Sequence, residues 1–368
     1  MLLVIFVFSL VFLYQIKNVF WANFIYYLWY LKEPKISITN KKCFVFYIIF
    51  MIEIVVSMIY YKYVLHGTFS NHVLLQFMFS LQYYILFLKI NIDTKKFEKY
   101  FITFAVTLST IIIISFFIVV GISGIPTLFT LGRLWGKGFL PGWPNVIIIP
   151  LLYGEFFLLE NTSTIWEKWY FKGIIIIACI LTTSRAGLLG IACIGGYFIF
   201  HPEKGINKKY LKKIMCGVLA VIFAGIIFGI MIETNASLKY RLSVSYDREN
   251  IFFVCKQLIG KSPILGYGGT SLDILMEIYP VVGSVMDNWG HAHNFILETL
   301  LRYGFAGLIL LLAMLGSLFI KLKNMNNKFM FLFMWFLALF QVYERNFVFI
   351  FMITYLTIRD KLKIDEKG

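Results

Sequence analysis

The chain has 368 residues, of which 60% are hydrophobic and 14% charged, with a formal net charge of +15 and a mean hydropathy of +0.80. Soluble chains average roughly 45–50% apolar and about 25% charged residues, so this much apolar surface excludes an ordinary soluble domain. The basic excess does not point to nucleic acid, because the lysines fall in short runs between apolar segments, where the positive-inside rule puts them.

Spans of about 20 apolar residues are the expected unit. The N-terminus is apolar from Met1 to Tyr14, with no charged leader and no small-residue cleavage site. It reads as a retained span, and residues 1–31 hold one long tilted span or a hairpin of two short ones. Further spans are predicted near 43–64, 68–89, 101–122, 143–160, 170–183, 186–201, 214–232, 293–320, 329–342 and 346–358. The fold class expected is an all-α integral membrane protein, a polytopic helical bundle of about 11–12 transmembrane helices. It forms one transmembrane domain over 1–368, with one larger extracytoplasmic loop at 233–290 and a shorter one near 123–142. Of the five cysteines only Cys255 falls in a loop, so neither a disulfide framework nor a cysteine-based metal site is expected.

The connecting segments alternate in character. The lysine-rich set (32–42, 89–99, 160–172, 201–213, 321–328 and the tail 359–368) carries 22 of the 34 basic residues and is assigned to the cytoplasm. Six of the seven arginines lie elsewhere: Arg133, Arg185, Arg241, Arg248, Arg302 and Arg345 all fall in outward loops or at outward span ends. The positive-inside rule predicts no such bias. A guanidinium grips phosphate or carboxylate oxygens with a planar fork, whereas lysine offers a hydrated point charge. The cluster therefore suggests an anionic ligand, a phosphate or pyrophosphate, at the outer membrane surface. The plainer reading is snorkelling toward lipid headgroups.

Three segments carry chemistry. Thr182-Thr183-Ser184-Arg185-Ala186-Gly187 sits at the turn of a tight helical hairpin. An arginine this close to hydrocarbon needs a partner, either an anionic substrate or an acid such as Glu155. Trp289-Gly290-His291-Ala292-His293-Asn294 directly precedes an apolar helix. Two histidines at i, i+2 with no third ligand nearby make a poor zinc site, while a histidine at a cavity mouth suits removal of a proton from a hydroxyl. In the large loop, Arg248 to Gly260 reads as an amphipathic helix with apolar Ile251, Phe252, Phe253, Leu258 and Ile259. Ser262-Pro263-Ile264-Leu265-Gly266-Tyr267-Gly268-Gly269 follows; Pro263 stops the helix and the glycines allow a close turn.

Together these segments resemble the bacterial O-antigen polymerase and O-antigen ligase superfamily. The family pattern of His-Asn, nine residues, Gly, two residues, Gly matches His293-Asn294 and Gly304-Phe305-Ala306-Gly307. Ser184-Arg185 looks like the family's Ser-Arg turn. Arg248, Pro263, Gly266 and Gly268 look like its outward-loop pattern, and Arg133 with Pro144-Asn145 like its upstream one. Phe252 stands where the family often has Trp. The resemblance covers roughly 130–310.

The resemblance implies a glycosyltransferase acting on undecaprenyl-pyrophosphate-linked oligosaccharide, building a surface polysaccharide such as O-antigen, capsule or the glycan of lipopolysaccharide. It places the enzyme in the bacterial cytoplasmic membrane, with its site facing the periplasm or cell exterior. His293 would be the general base, and Arg185, Arg248, Arg241 and Arg133 would bind pyrophosphate. His291, Asn294, Glu298, Ser184, Gly266 and Gly268 would support them. No metal and no cofactor is expected. Partners would be the lipid-linked donor, an acceptor glycan, membrane lipids, and a chain-length regulator and flippase. A polymerase is favoured over a ligase. A transporter or flippase for a lipid-linked saccharide is the alternative of another class; only Glu53 and Glu155 stand out as acids within its spans.

Overall fold

The computed structural model describes residues 41–68, scattered positions between 73 and 83, then 94–119, 144–161, 165–182, 184–200, 246–279, 292, 294–339 and 347–365. The predicted spans at 1–31 and 214–232 and the loops carrying Arg133 and Arg241 lie outside them.

Ten helices and no strand occur among the described residues: α1 Lys41–Tyr63, α2 Thr94–Val119, α3 Pro144–Asn161, α4 Ile165–Leu181, α5 Arg185–Phe200, α6 Tyr246–Lys261, α7 Leu272–Ile278, α8 Phe295–Lys321, α9 Met325–Ala338 and α10 Phe347–Asp365. Within α1, α2 and α8, Cys43–Tyr63, Thr94–Ile118 and Phe295–Lys321 are long and apolar enough to cross a membrane. The chain is an all-α membrane protein. Its α2 begins seven residues before the predicted span, and α10 runs seven beyond its own. Lysine is a good helix former, so a lysine run marks where a helix leaves the bilayer and not where the helix ends.

The described residues form two compact units, 95–246 and 41–94 with 247–365. In the first, α3 packs on α4 and α5. Small residues permit close contact: a Cβ on Gly190 would meet Leu152 Cδ2 at 2.5 Å, and one on Gly187 would meet Ile148 Cδ1 at 2.7 Å. Glu155 on α3 is fully buried, and Lys172 Nζ on α4 lies 3.9 Å from its Oε1. Glu155, the acid considered as a partner for Arg185, thus has Lys172 as a neighbour, and the Arg185 side chain lies outside the described residues.

In the second unit α8 lies along α1, and α9 and α10 pack together. The amphipathic helix expected at 248–260 is α6. Its Ile251, Val254, Cys255 and Leu258 are buried against Tyr61, Tyr267 and Leu301, burial worth about 1.5–3 kcal/mol for each large side chain. Phe252 and Phe253 face the other way, 55% and 53% exposed. The tail holds a buried polar cluster that the sequence did not reveal. Arg359 is fully buried and donates to Asn327 Oδ1 at 2.8 Å. Asp360 accepts from the Lys323 and Asn324 amides, each at 2.7 Å, tying α10 to the turn between α8 and α9.

Candidate functional site

The site begins at a break in α8. Gly304 has φ 62° and ψ −165°, a conformation essentially confined to glycine. A regular helix would pair the Phe305 and Ala306 amides with the Leu301 and Arg302 carbonyls. At the break all four groups find other partners. Phe305 N–H donates to the Pro263 carbonyl at 2.8 Å, and Ala306 N–H to the Ile264 carbonyl at 3.1 Å. The Leu301 carbonyl accepts Tyr267 N–H at 3.0 Å, and the Arg302 carbonyl lies 3.0 Å from the Ser57 hydroxyl. The glycine-rich turn after α6 is thus docked backbone to backbone into the kink.

The geometry accounts for the glycines. A Cβ on Gly304 would collide with the Ile264 carbonyl, and one on Gly266 (φ 65°) would lie 2.5 Å from the Arg302 carbonyl carbon. Gly268 lets the turn approach α1, where an added Cβ would come within 2.8 Å of Met58 Cα. The turn braces itself as well: Ser262 Oγ donates to the Gly266 carbonyl at 2.8 Å and the Tyr267 hydroxyl to the Leu258 carbonyl at 2.7 Å. Ser57 on α1 joins the pieces. Its hydroxyl is within reach of the Leu265 and Arg302 carbonyls, and it accepts Gly268 N–H at 3.1 Å.

Upstream of the kink, α8 presents the His-Asn motif. Asn294 is its N-cap, with Oδ1 accepting from Ile296 N–H at 2.9 Å and Leu297 N–H at 3.1 Å. A cap of this kind satisfies amides that would otherwise lack helical partners. Glu298 and Arg302, one turn apart, form a buried ion pair, 2% and 4% exposed. The other Glu298 oxygen accepts Ala292 N–H at 2.7 Å. Beyond the kink, Phe305 to Ile320 is uncharged, long enough at 1.5 Å per residue to cross most of a hydrocarbon core about 30 Å thick. Gly307 faces Glu53 on α1: a Cβ there would lie 2.9 Å from Glu53 Oε2.

The structure therefore brings together Asn294, Glu298, Gly266 and Gly268 in one unit, with Arg248 in the first turn of α6. Ser184 and Arg185 belong to the other unit. Buried Ser184 accepts Gly187 N–H at 3.4 Å and opens α5, of which Arg185 is the first residue. The Arg185 and Arg248 side chains, together with His291, His293, Arg241 and Arg133, lie outside the described residues. Two participants escaped the sequence reading. Ser57 is a lone serine in an apolar helix and gives no signal. Arg302 was grouped with the outward arginines suited to an anion, yet its guanidinium is engaged by Glu298; the i, i+4 spacing of opposite charges was the available clue.

No curated protein matches the chain significantly. Residues 171–312 match the family model described as O-antigen ligase, a stretch running from within α4 past the Gly304 kink. The match covers less than half of the chain, and over that stretch the chain is similar to the O-antigen polymerase and ligase superfamily.

Proposed function

We propose that the protein polymerises undecaprenyl-pyrophosphate-linked oligosaccharide repeat units into a surface polysaccharide at the outer face of the bacterial cytoplasmic membrane. His293 takes the proton from an acceptor sugar hydroxyl as that oxygen attacks the anomeric carbon of the donor. The bond from that carbon to the pyrophosphate oxygen breaks, and the lipid pyrophosphate leaves with the electron pair, inverting the configuration. Arg248 and Arg185 neutralise the charge that develops on the leaving group, with Arg241 and Arg133 as further contacts. Neither a metal nor a cofactor has a part in this scheme.

The observation that supports this reading is the way the His-Asn end of α8 is fixed. The turn 263–268 and the Gly304 kink lock that end in place, and the Asn294 cap and Glu298 define the backbone on both sides of residue 293. A base has to be held to within fractions of an ångström to be useful. Incubation of the purified protein with lipid-linked repeat units tests the assignment. Stepwise elongation on the lipid is expected. Transfer only to a lipid A core or a protein would make the enzyme a ligase, and liposome flux that survives His293→Ala would favour a transporter.

A further inference from the structure

We propose that Arg302 is a positioning residue for the base, acting on the His291–His293 segment through Glu298. The proposal rests on the reading that His293 is the base.

Glu298 has two carboxylate oxygens, and each has a separate task. Oε1 is held by the Arg302 guanidinium and Oε2 receives Ala292 N–H at 2.7 Å. Ala292 is buried and is the chain neighbour of both histidines. On the far side of residue 293, the Asn294 side chain is fixed by two amides of α8. Residue 293 is thus bracketed by two backbone anchors, and one of them exists only while Glu298 keeps its rotamer. A glutamate side chain has three free torsions, and its partner one helical turn away removes that freedom. Arg302 is itself anchored, since its carbonyl is within hydrogen-bond reach of Ser57 and it lies two residues from the Gly304 break. The clamp on the glycine turn is thereby linked through Arg302 and Glu298 to the peptide beside the base. The arginine is 4% exposed and its Nη2 is engaged by Glu298, which sets it apart from the phosphate-binding arginines of the proposed scheme.

The discriminating variant is the charge swap Glu298→Arg/Arg302→Glu. It keeps an i, i+4 ion pair, but an arginine at 298 has no acceptor for Ala292 N–H. With lipid-linked repeat units as substrate, the swap should melt within a few degrees of the parent and keep its KM. Its kcat should fall about 100-fold, the scale of a displacement near 1 Å, and hydrogen exchange at the Ala292 amide should accelerate. Parental kcat with slow exchange would overturn the proposal. Should the swap fail to fold, Arg302→Lys and Arg302→Met replace it. Lysine still reaches Glu298 and should retain most of kcat, whereas methionine should lose about 100-fold at constant KM; equal kcat in the two would refute the role. If the parent transfers no sugar at all, the functional reading fails by itself. Exchange at Ala292 in Arg302→Met, where Glu298 is kept, then decides whether Arg302 holds that peptide through Glu298: acceleration supports the link, and an unchanged rate overturns it.

Discussion

The amide of Phe305 donates to the carbonyl of Pro263 at 2.8 Å, joining two segments 42 residues apart in sequence and making the end of a membrane helix depend on a loop turn. Without the left-handed glycine just before it, that amide would point up its own helix. Gly304, the first of the motif's two glycines, is therefore part of the site's frame, although it carries no reactive group.

Gly304→Ala tests this frame. Forcing alanine into this backbone region costs about 1–3 kcal/mol before its Cβ meets Ile264. The variant is expected to melt earlier and to lose transfer activity. An unchanged melting curve in detergent would show that the turn does not depend on the kink.

Ser57→Ala removes a hydroxyl whose one proton is within reach of the Leu265 and Arg302 carbonyls and whose oxygen accepts Gly268 N–H. Leaving such groups buried without partners costs about 1–3 kcal/mol each. A loss of stability in that range is expected by thermal unfolding, together with faster hydrogen exchange at Gly268. Ser57→Thr keeps the hydroxyl and should recover most of the loss.

Much of the architecture was legible because it follows from solvation. Apolar runs and lysine-rich breaks place α1, α3, α5 and α8 to within two residues at either end. Likewise Pro263 and the amphipathic run place α6 and its end. The docking of 263–268 against 301–306 was not legible, since a φ of +62° at residue 304 and a partner 40 residues upstream leave no periodic trace. The buried Arg359 and Asp360 were hidden for a related reason. Charges at a span end look like solvated tail residues until a neighbouring turn supplies their partners.

Cys255 offers a pH test. Burial, with a smaller effect from the Glu298 charge, pushes its thiol up to about 12 from an ordinary value of 9.0. The thiolate is the reactive form, so a maleimide at pH 8 should leave Cys255 unmodified until denaturant is added, as read by peptide mass spectrometry. The raised value means that the folded state favours the protonated thiol. This contribution to stability is complete below pH 9 and declines as pH rises from about 9 to about 12. Rapid labelling of the native protein would show that α6 is not packed as described.

Asp360→Ala removes the acceptor shared by the Lys323 and Asn324 amides and leaves Arg359 buried beside it. Leaving a buried donor without its acceptor costs about 1–3 kcal/mol, so a loss of that order is expected. Lower melting temperature and reduced membrane accumulation are expected. Asp360→Asn keeps a side-chain oxygen for one of the two amides and should recover part of the loss.

Sugar transfer from a lipid pyrophosphate with His293 as the base is what we propose for this chain. Its most direct measurement uses His293→Ala in proteoliposomes supplied with lipid-linked repeat units, with protein level and melting temperature followed in parallel. The expected variant folds and inserts like the parent but makes no elongated product. Long-chain product from that variant would contradict the proposal.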